Sequence, residues 1–154
     1  MSELHQAERV RFCARCGELA GAPAERPGAG RVCAACGMGI CLEATRDALG
    51  ELGRFFLVVT RDLRVAAVSL GAEGIFGAEE ALVGTPLELL VSSPAGTRRL
   101  LRTVRGAALG VREPATFPVE PLVEGAEEFG PLEARVSPCG SPRAALLAVE
   151  PALG

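Results

Sequence analysis

Two Cys-x-x-Cys pairs near the start of this chain restrict its fold more than any other feature of the sequence. Cys13 and Cys16 form the first pair, Cys33 and Cys36 form the second, and a loop of 16 residues separates them. This spacing is typical of four-cysteine zinc ribbons, in which four thiolates bind one ion tetrahedrally at about 2.3 Å. A glycine directly follows each pair and permits the tight turn such a site needs. We therefore predict one zinc ion held by these four cysteines; two redox dithiols or unrelated cysteines are the alternative.

Zinc in such a site is expected to be structural. Four thiolates fill the tetrahedral shell, so no coordination position stays open for a substrate. The chain up to Gly39 carries few large apolar side chains and cannot build a hydrophobic core unaided. Zinc binding would supply its folding energy, which is about 10 to 16 kcal/mol in comparable peptides.

The composition favours a folded protein of the cytoplasm. Of the 154 residues 49% are hydrophobic, yet no apolar run approaches the roughly 20 residues that cross a bilayer. Residues 1–11 lack the apolar middle of a signal peptide, so we predict a reducing, cytoplasmic location in which the six cysteines are thiols or metal ligands. The net charge of −3 gives no general attraction to nucleic acid or membranes.

We divide the chain into a zinc-ribbon-like module over 1–41, a linker helix over 42–53 and a second domain over 54–154. The linker is predicted to be helical because Leu42, Leu49 and Leu52 lie near one face of an amphipathic helix. In the second domain, two strands are followed by several helices and then by three strands. This grouping predicts an α+β fold with helices on one face of an antiparallel sheet. The predicted strands are 55–60, 64–69, 115–120, 132–137 and 144–149, and the predicted helices are 73–76, 79–83, 86–90 and 97–109.

The second domain resembles the PAS sensory domain over residues 55–151. The likeness rests on hydrophobic spacing and two glycines in the stretches FLVVTRDLRV (56–65), AVS (67–69), IFG (75–77) and LVGTPL (82–87). Ser69 departs from the pattern, since many PAS domains have Asn there. The resemblance implies a five-stranded antiparallel sheet in the order 2-1-5-4-3, with a sensing or scaffold function.

Two features agree with that strand order. The third strand would lie at an edge, where the missing N–H groups of Pro114, Pro118 and Pro121 are tolerated. The central first and fifth strands are apolar throughout, which indicates that both faces of the sheet are covered. The linker helix, the zinc module or a second copy of the chain is expected on the outer face.

The resemblance also bears on cofactors. Haem-binding PAS domains commonly use an axial histidine, but His5 in the N-terminal tail is the only histidine of this chain. Photoactive flavin relatives need a cysteine among the helices, and 73–109 contains none. We therefore expect neither haem nor flavin. A small apolar ligand could occupy a pocket between helices and sheet, although we favour the interpretation that the same side chains simply fill the core: Phe76, Leu90, Leu101, Val104, Phe117, Val119 and Val136.

Three further features have both a functional and a structural interpretation. Cys41 could compete for the metal, but we favour a core cysteine. Cys139 lies in a turn rich in proline and glycine, where it could be exposed and reactive, yet no base flanks it. Arg98, Arg102 and Arg105 recur at helical spacing as an anion-binding stripe or, as we favour, a solvated face.

No enzyme is expected, because the sequence has no Ser-His-Asp or Cys-His set, no Gly-Lys-Ser or Gly-Lys-Thr phosphate loop and no motif that pairs two carboxylates. We favour a sensory protein or protein-interaction adaptor that forms a homodimer through the outer sheet face and linker helix. One alternative is a zinc-ribbon regulator that binds nucleic acid through arginines and Phe12. Another is a redox sensor that releases its metal when the thiolates are oxidised.

Overall fold

The computed structural model describes residues 8–19, 32–50 and 53–152, which form two antiparallel sheets. The small sheet pairs β1 with β2 so that Cys13 faces Cys41 across the strands. The large sheet has six strands in the order β4-β3-β8-β7-β6-β5. The strands are β1 (Arg9–Cys13), β2 (Cys41–Thr45), β3 (Phe56–Val59), β4 (Val65–Val68), β5 (Val91–Ser92), β6 (Ala115–Pro121), β7 (Leu132–Cys139) and β8 (Ala144–Pro151).

Three α-helices and three short 3₁₀ helices accompany these strands in the described residues. The α-helices are α1 (Leu70–Phe76), α2 (Glu79–Leu82) and α3 (Thr97–Ala108). The 3₁₀ helices are Arg46–Leu49, Leu87–Leu89 and Ala126–Phe129. Within the described part of the chain, no helix combines the length and apolar character needed to span a membrane. The predicted α+β class is therefore confirmed, with more strand than helix.

The five long strands of the large sheet follow the predicted order 2-1-5-4-3. The two-residue strand β5 was not predicted, and it pairs with Glu120 and Pro121 beyond the third strand. β6 is therefore an edge strand only over the residues that do not pair with β5. Its outer side is partly satisfied at Pro118, whose carbonyl accepts a hydrogen bond of 2.6 Å from the Ser93 hydroxyl. The N-cap residue of α3 is Gly96, so no side chain caps the start of this helix.

Both faces of the central strands β3 and β8 are buried over most of their length, as their apolar sequences predicted. On β3, Leu57 and Val59 point into the inner core beneath the helices, while Phe56 and Val58 point into a second cluster on the other side. This outer cluster is completed by side chains of β1, β2 and the following 3₁₀ helix. The N-terminal part of the chain itself therefore covers the outer face.

The predicted linker helix over 42–53 is wrong. Residues up to Thr45 form β2, and only Arg46–Leu49 is helical, as a single 3₁₀ turn. This segment forms a strand because both of its edges have backbone hydrogen-bond partners. One edge of β2 pairs with β1, and on the other edge Glu43 exchanges backbone hydrogen bonds with Gly140. The side chain of Leu42 is buried as predicted, but it belongs to a strand rather than to a helix. Leu52 lies outside the described residues.

Candidate metal centre

The two Cys-x-x-Cys pairs fold into the same turn twice. Gly17 donates its N–H to the carbonyl of Cys13 at 3.0 Å, and Gly37 donates to Cys33 at 2.9 Å. Both glycines have positive φ, 77° and 71°, a region that L-residues with a Cβ enter at a cost. The repeated Cys-x-x-Cys-Gly sequence thus produces two equivalent turns, each of which aims two sulfur atoms in one direction.

The four predicted ligand sulfurs converge on one point. The Sγ atoms of Cys13 and Cys36 are 3.7 Å apart, as are those of Cys16 and Cys33. All four Sγ atoms lie within 4.8 Å of one another. A tetrahedron with metal–sulfur bonds of about 2.3 Å has sulfur–sulfur edges of about 3.8 Å. The residues therefore fit a single tetrahedrally coordinated metal ion such as zinc.

Backbone N–H groups point at the sulfurs. Those of Arg15 and Cys16 lie 3.3 Å from Cys13 Sγ, and that of Gly39 lies 3.4 Å from Cys36 Sγ. Such hydrogen bonds favour the thiolate over the thiol and orient it for a metal. The turns therefore supply both the four sulfurs that could bind a metal ion and N–H groups that would orient them.

The sulfurs differ in how strongly the protein alone favours the thiolate. The N–H groups of Met38 and Gly39 lower the pKa of Cys36 to about 6, and that of Cys33 is lowered chiefly by the N–H of Cys36. Burial instead raises the pKa of Cys13 to about 12. A cation at the centre would hold all four as thiolates, since its charge compensates for the burial.

Arg15 fastens the first turn to the large sheet. Its Nη1 lies 3.0 Å from Glu73 Oε2 and 3.1 Å from the carbonyl of Val68, the last residue of β4. Glu79 Oε2 accepts the Val68 N–H at 2.8 Å and lies 3.8 Å from Arg15 Nη1. The Arg15 carbonyl in turn accepts the N–H of Leu70 at 2.6 Å. Arg15, which lies between Cys13 and Cys16 in the sequence, therefore contacts β4, α1 and α2. No local sequence pattern indicated these contacts.

The two remaining cysteines lie apart from the ligand set. Cys41 is buried next to the four sulfurs but is not one of the converging group, which agrees with the core interpretation. The suggestion that Cys139 is exposed and reactive is wrong. It is 5% exposed within the outer cluster, and burial raises its pKa to about 12.

The seven residues proposed as a ligand pocket all pack in or against the inner core cluster. Leu101 is partly buried, and the other six are buried. A cavity of about 550 Å³ between the metal-ligand cluster and α2, and another of about 470 Å³, involve none of the seven. Their observed role is packing, and the ligand pocket stays a prediction.

Gly39 offers a sharp test of the site. A Cβ there would collide with Cys13 Sγ, whereas a Cβ on Gly37 would meet nothing within 4 Å. We expect Gly39→Ala to weaken metal binding at least about tenfold because it displaces a ligand. Gly37→Ala should cost about 1–2 kcal/mol of backbone strain and leave the ligand geometry intact. Competition with a chromogenic chelator measures both affinities, and equal affinities would contradict the geometry.

Comparison with protein-family models, with curated proteins and with solved structures found no match to this chain. No match to a protein family therefore supports the resemblance to PAS domains. The short motifs and the strand order are its only support.

Proposed function

We propose that this protein is a non-catalytic, zinc-binding PAS-type protein that works in sensing and signal transduction, or as an adaptor, through protein contacts in the cytoplasm. The observation that carries the proposal is the convergence of four cysteine sulfurs at tetrahedral spacing. It supports an N-terminal part that a metal ion would stabilise.

Zinc is the metal that suits this site best. Tetrahedral sulfur sites hold zinc or iron. Zinc has no redox chemistry and fits a closed structural position, and a reducing cytoplasm would keep the six free cysteines as thiols. When bound, zinc would supply a cross-link between the two turns, while Cys13, Cys16, Cys33 and Cys36 provide the ligands.

The PAS assignment is supported by the order of the five long strands and by the helices on the inner face of the sheet. The contacts of Arg15 with Glu73 and Val68 give a physical route from the metal centre to the helical side. We expect a change at the metal to reach α1 through the Arg15–Glu73 ion pair of 3.0 Å and α2 through the longer Arg15–Glu79 pair of 3.8 Å.

Two chemical features support a non-catalytic role. Four thiolate ligands leave no open coordination position. The sequence has a single histidine, His5, outside the described residues, so histidine cannot act as a base in the described core.

The side chains that would contact nucleic acid in the alternative function are not available for that contact. Phe12 is fully buried and packs edge-to-face on Phe56 with ring centroids 5.4 Å apart, so it cannot stack on a base. Arg9 lies 3.8 Å from Glu43, which further reduces the free positive charge. A salt-sensitive gel shift at low ionic strength would reverse this judgement.

Native mass spectrometry of the purified protein tests the proposal. We expect one zinc ion per chain and no mass for haem or flavin. A metal-free protein, or one with an iron centre or an organic cofactor, would contradict it. Treatment with peroxide tests the alternative function as a redox sensor. Zinc loss with a changed oligomeric state would favour that function, whereas unchanged zinc content would exclude it.

A further inference from the structure

A groove with a volume of about 550 Å³ lies between the two Cys-x-x-Cys turns and α2. Three parts of the chain meet there: residues 14–15 and 38–40 from the turns, residues 66–67 from β4, and residues 73–83 from α1 and α2. In the described part of the chain, β4 is the last strand at this end of the large sheet. The β4 groove, as we call this surface, therefore joins the candidate metal centre to the edge of the sheet.

Three large apolar side chains that line the β4 groove are exposed to solvent. Met38 is 71% exposed, Ile40 is 53% exposed and Val83 is 52% exposed. Single exposed apolar residues are ordinary on a protein surface, but several that line one concavity mark a binding site. The lining residues Ala66 and Ala67 have small side chains, which leave space for those of a partner.

The charged side chains of the β4 groove carry an excess of negative charge. Glu73, Glu79 and Glu80 line it, and Arg15 is the one cation among the described lining residues. The Arg15 guanidinium is already bound to Glu73 at 3.0 Å and lies 3.8 Å from Glu79. Glu80 is exposed and takes part in none of the ion pairs among the described residues. A cation of a partner would therefore find an unpaired carboxylate here.

We propose that the β4 groove binds a short segment of a partner protein in which apolar side chains lie next to Arg or Lys. The apolar side chains would pack on Met38, Ile40 and Val83, and the cation would pair with Glu80. A volume of about 550 Å³ accommodates a few side chains, which fits a short segment. The inference rests on the proposed function, because it assigns the surface through which an adaptor would make its protein contact.

Other occupants fit the β4 groove less well. Its negative lining repels nucleic acid and anionic membranes, and the net charge of −3 on the whole chain adds to that repulsion. The sequence suggested a second copy of the chain on the outer sheet face, but β1 and β2 already pack on that face. A partner with positive charge beside apolar side chains matches both features of the lining.

Selection of peptides by the purified full chain tests this inference. A phage library of random peptides of about 12 residues serves as the probe, and we expect enriched peptides to combine Leu, Ile, Val or Phe with Arg or Lys. Fluorescence anisotropy then measures the affinity of the most enriched peptide. Ile40→Ser, Val83→Ser and Glu80→Arg should each weaken binding about tenfold or more, because each removes an exposed contact without changing the core.

Leu109→Ser and Glu88→Arg are the matched controls, since both residues are exposed and lie outside the β4 groove. Both variants should bind the peptide like the wild type. The inference is overturned by a library without enriched peptides, by acidic peptides as the enriched class, by groove variants that bind like the wild type, or by controls that bind as weakly as the groove variants. It is also overturned by a wild-type dimer that Ile40→Ser or Val83→Ser dissociates, since a second copy would then occupy the groove.

Metal content measured on the same preparation separates this inference from the zinc proposal. A zinc-loaded chain that selects no peptide overturns the inference and leaves the zinc proposal standing. A metal-free chain that selects basic apolar peptides supports the inference and contradicts the zinc proposal.

Discussion

Replacing Cys36 by alanine should abolish metal binding and lower the free energy of unfolding by about 4–5 kcal/mol or more. Three sulfurs cannot complete the tetrahedron, and the turns around Cys33 and Cys13 then lose the cross-link that joins them. The loss should be smaller than the 10 to 16 kcal/mol of isolated zinc peptides, because β1 and β2 remain packed on the large sheet. Thermal unfolding with metal analysis would measure both effects, with a fall in Tm of about 10 °C or more.

Cys139→Ala is the matched control. It removes a buried sulfur of the same size from the outer cluster, outside the converging group, so it should cost about 1 kcal/mol and leave one metal per chain. Chelation should lower the Tm of the wild type to that of Cys36→Ala and leave Cys36→Ala unchanged. Equal stability of the two variants, or a wild type insensitive to chelation, would show that no metal stabilises this fold.

The ligand set could be predicted from the sequence because the determinants are local. Two copies of Cys-x-x-Cys-Gly fix two turns, and only their distance from each other depends on the rest of the chain. The strands of the large sheet were predictable for a similar reason. Their apolar runs are bounded by turns, and burial on both faces removes the alternation seen in half-exposed strands.

The failures concern segments whose structure depends on distant partners. The sequence around Leu42 permits a helix or a strand, and its pairing with β1, about 30 residues earlier, decides the outcome. The sequence places Cys139 in a turn of ordinary exposed composition, but it is the last residue of β7 and is buried in the outer cluster beside β2. The ion pair of Arg15 with Glu73 joins residues 58 positions apart in the sequence, and no local sequence pattern predicts it. Long-range pairing, rather than weak local preference, explains these errors.

A metal ion at the four cysteines, together with the outer cluster, would explain how a segment poor in apolar residues stays folded. The metal would join the two turns at one end of the β1–β2 hairpin, and Phe12 anchors the body of the hairpin on Phe56. An isolated two-stranded hairpin is marginally stable in water, so each contact should add to the stability that packing on the large sheet provides. The hairpin is therefore held at two points, and loss of either should loosen the other.

Phe12→Ala tests the second of these points. Phe12 is fully buried and its ring packs edge-to-face on Phe56, so we expect a loss of about 3–5 kcal/mol in the free energy of unfolding by urea. Phe12→Leu, which keeps most of the volume, should lose clearly less. Because the two points support the same hairpin, Phe12→Ala should cost less in metal-free protein than in metal-loaded protein. Equal costs in both states would mean that the two contacts act independently, since energies of uncoupled sites add.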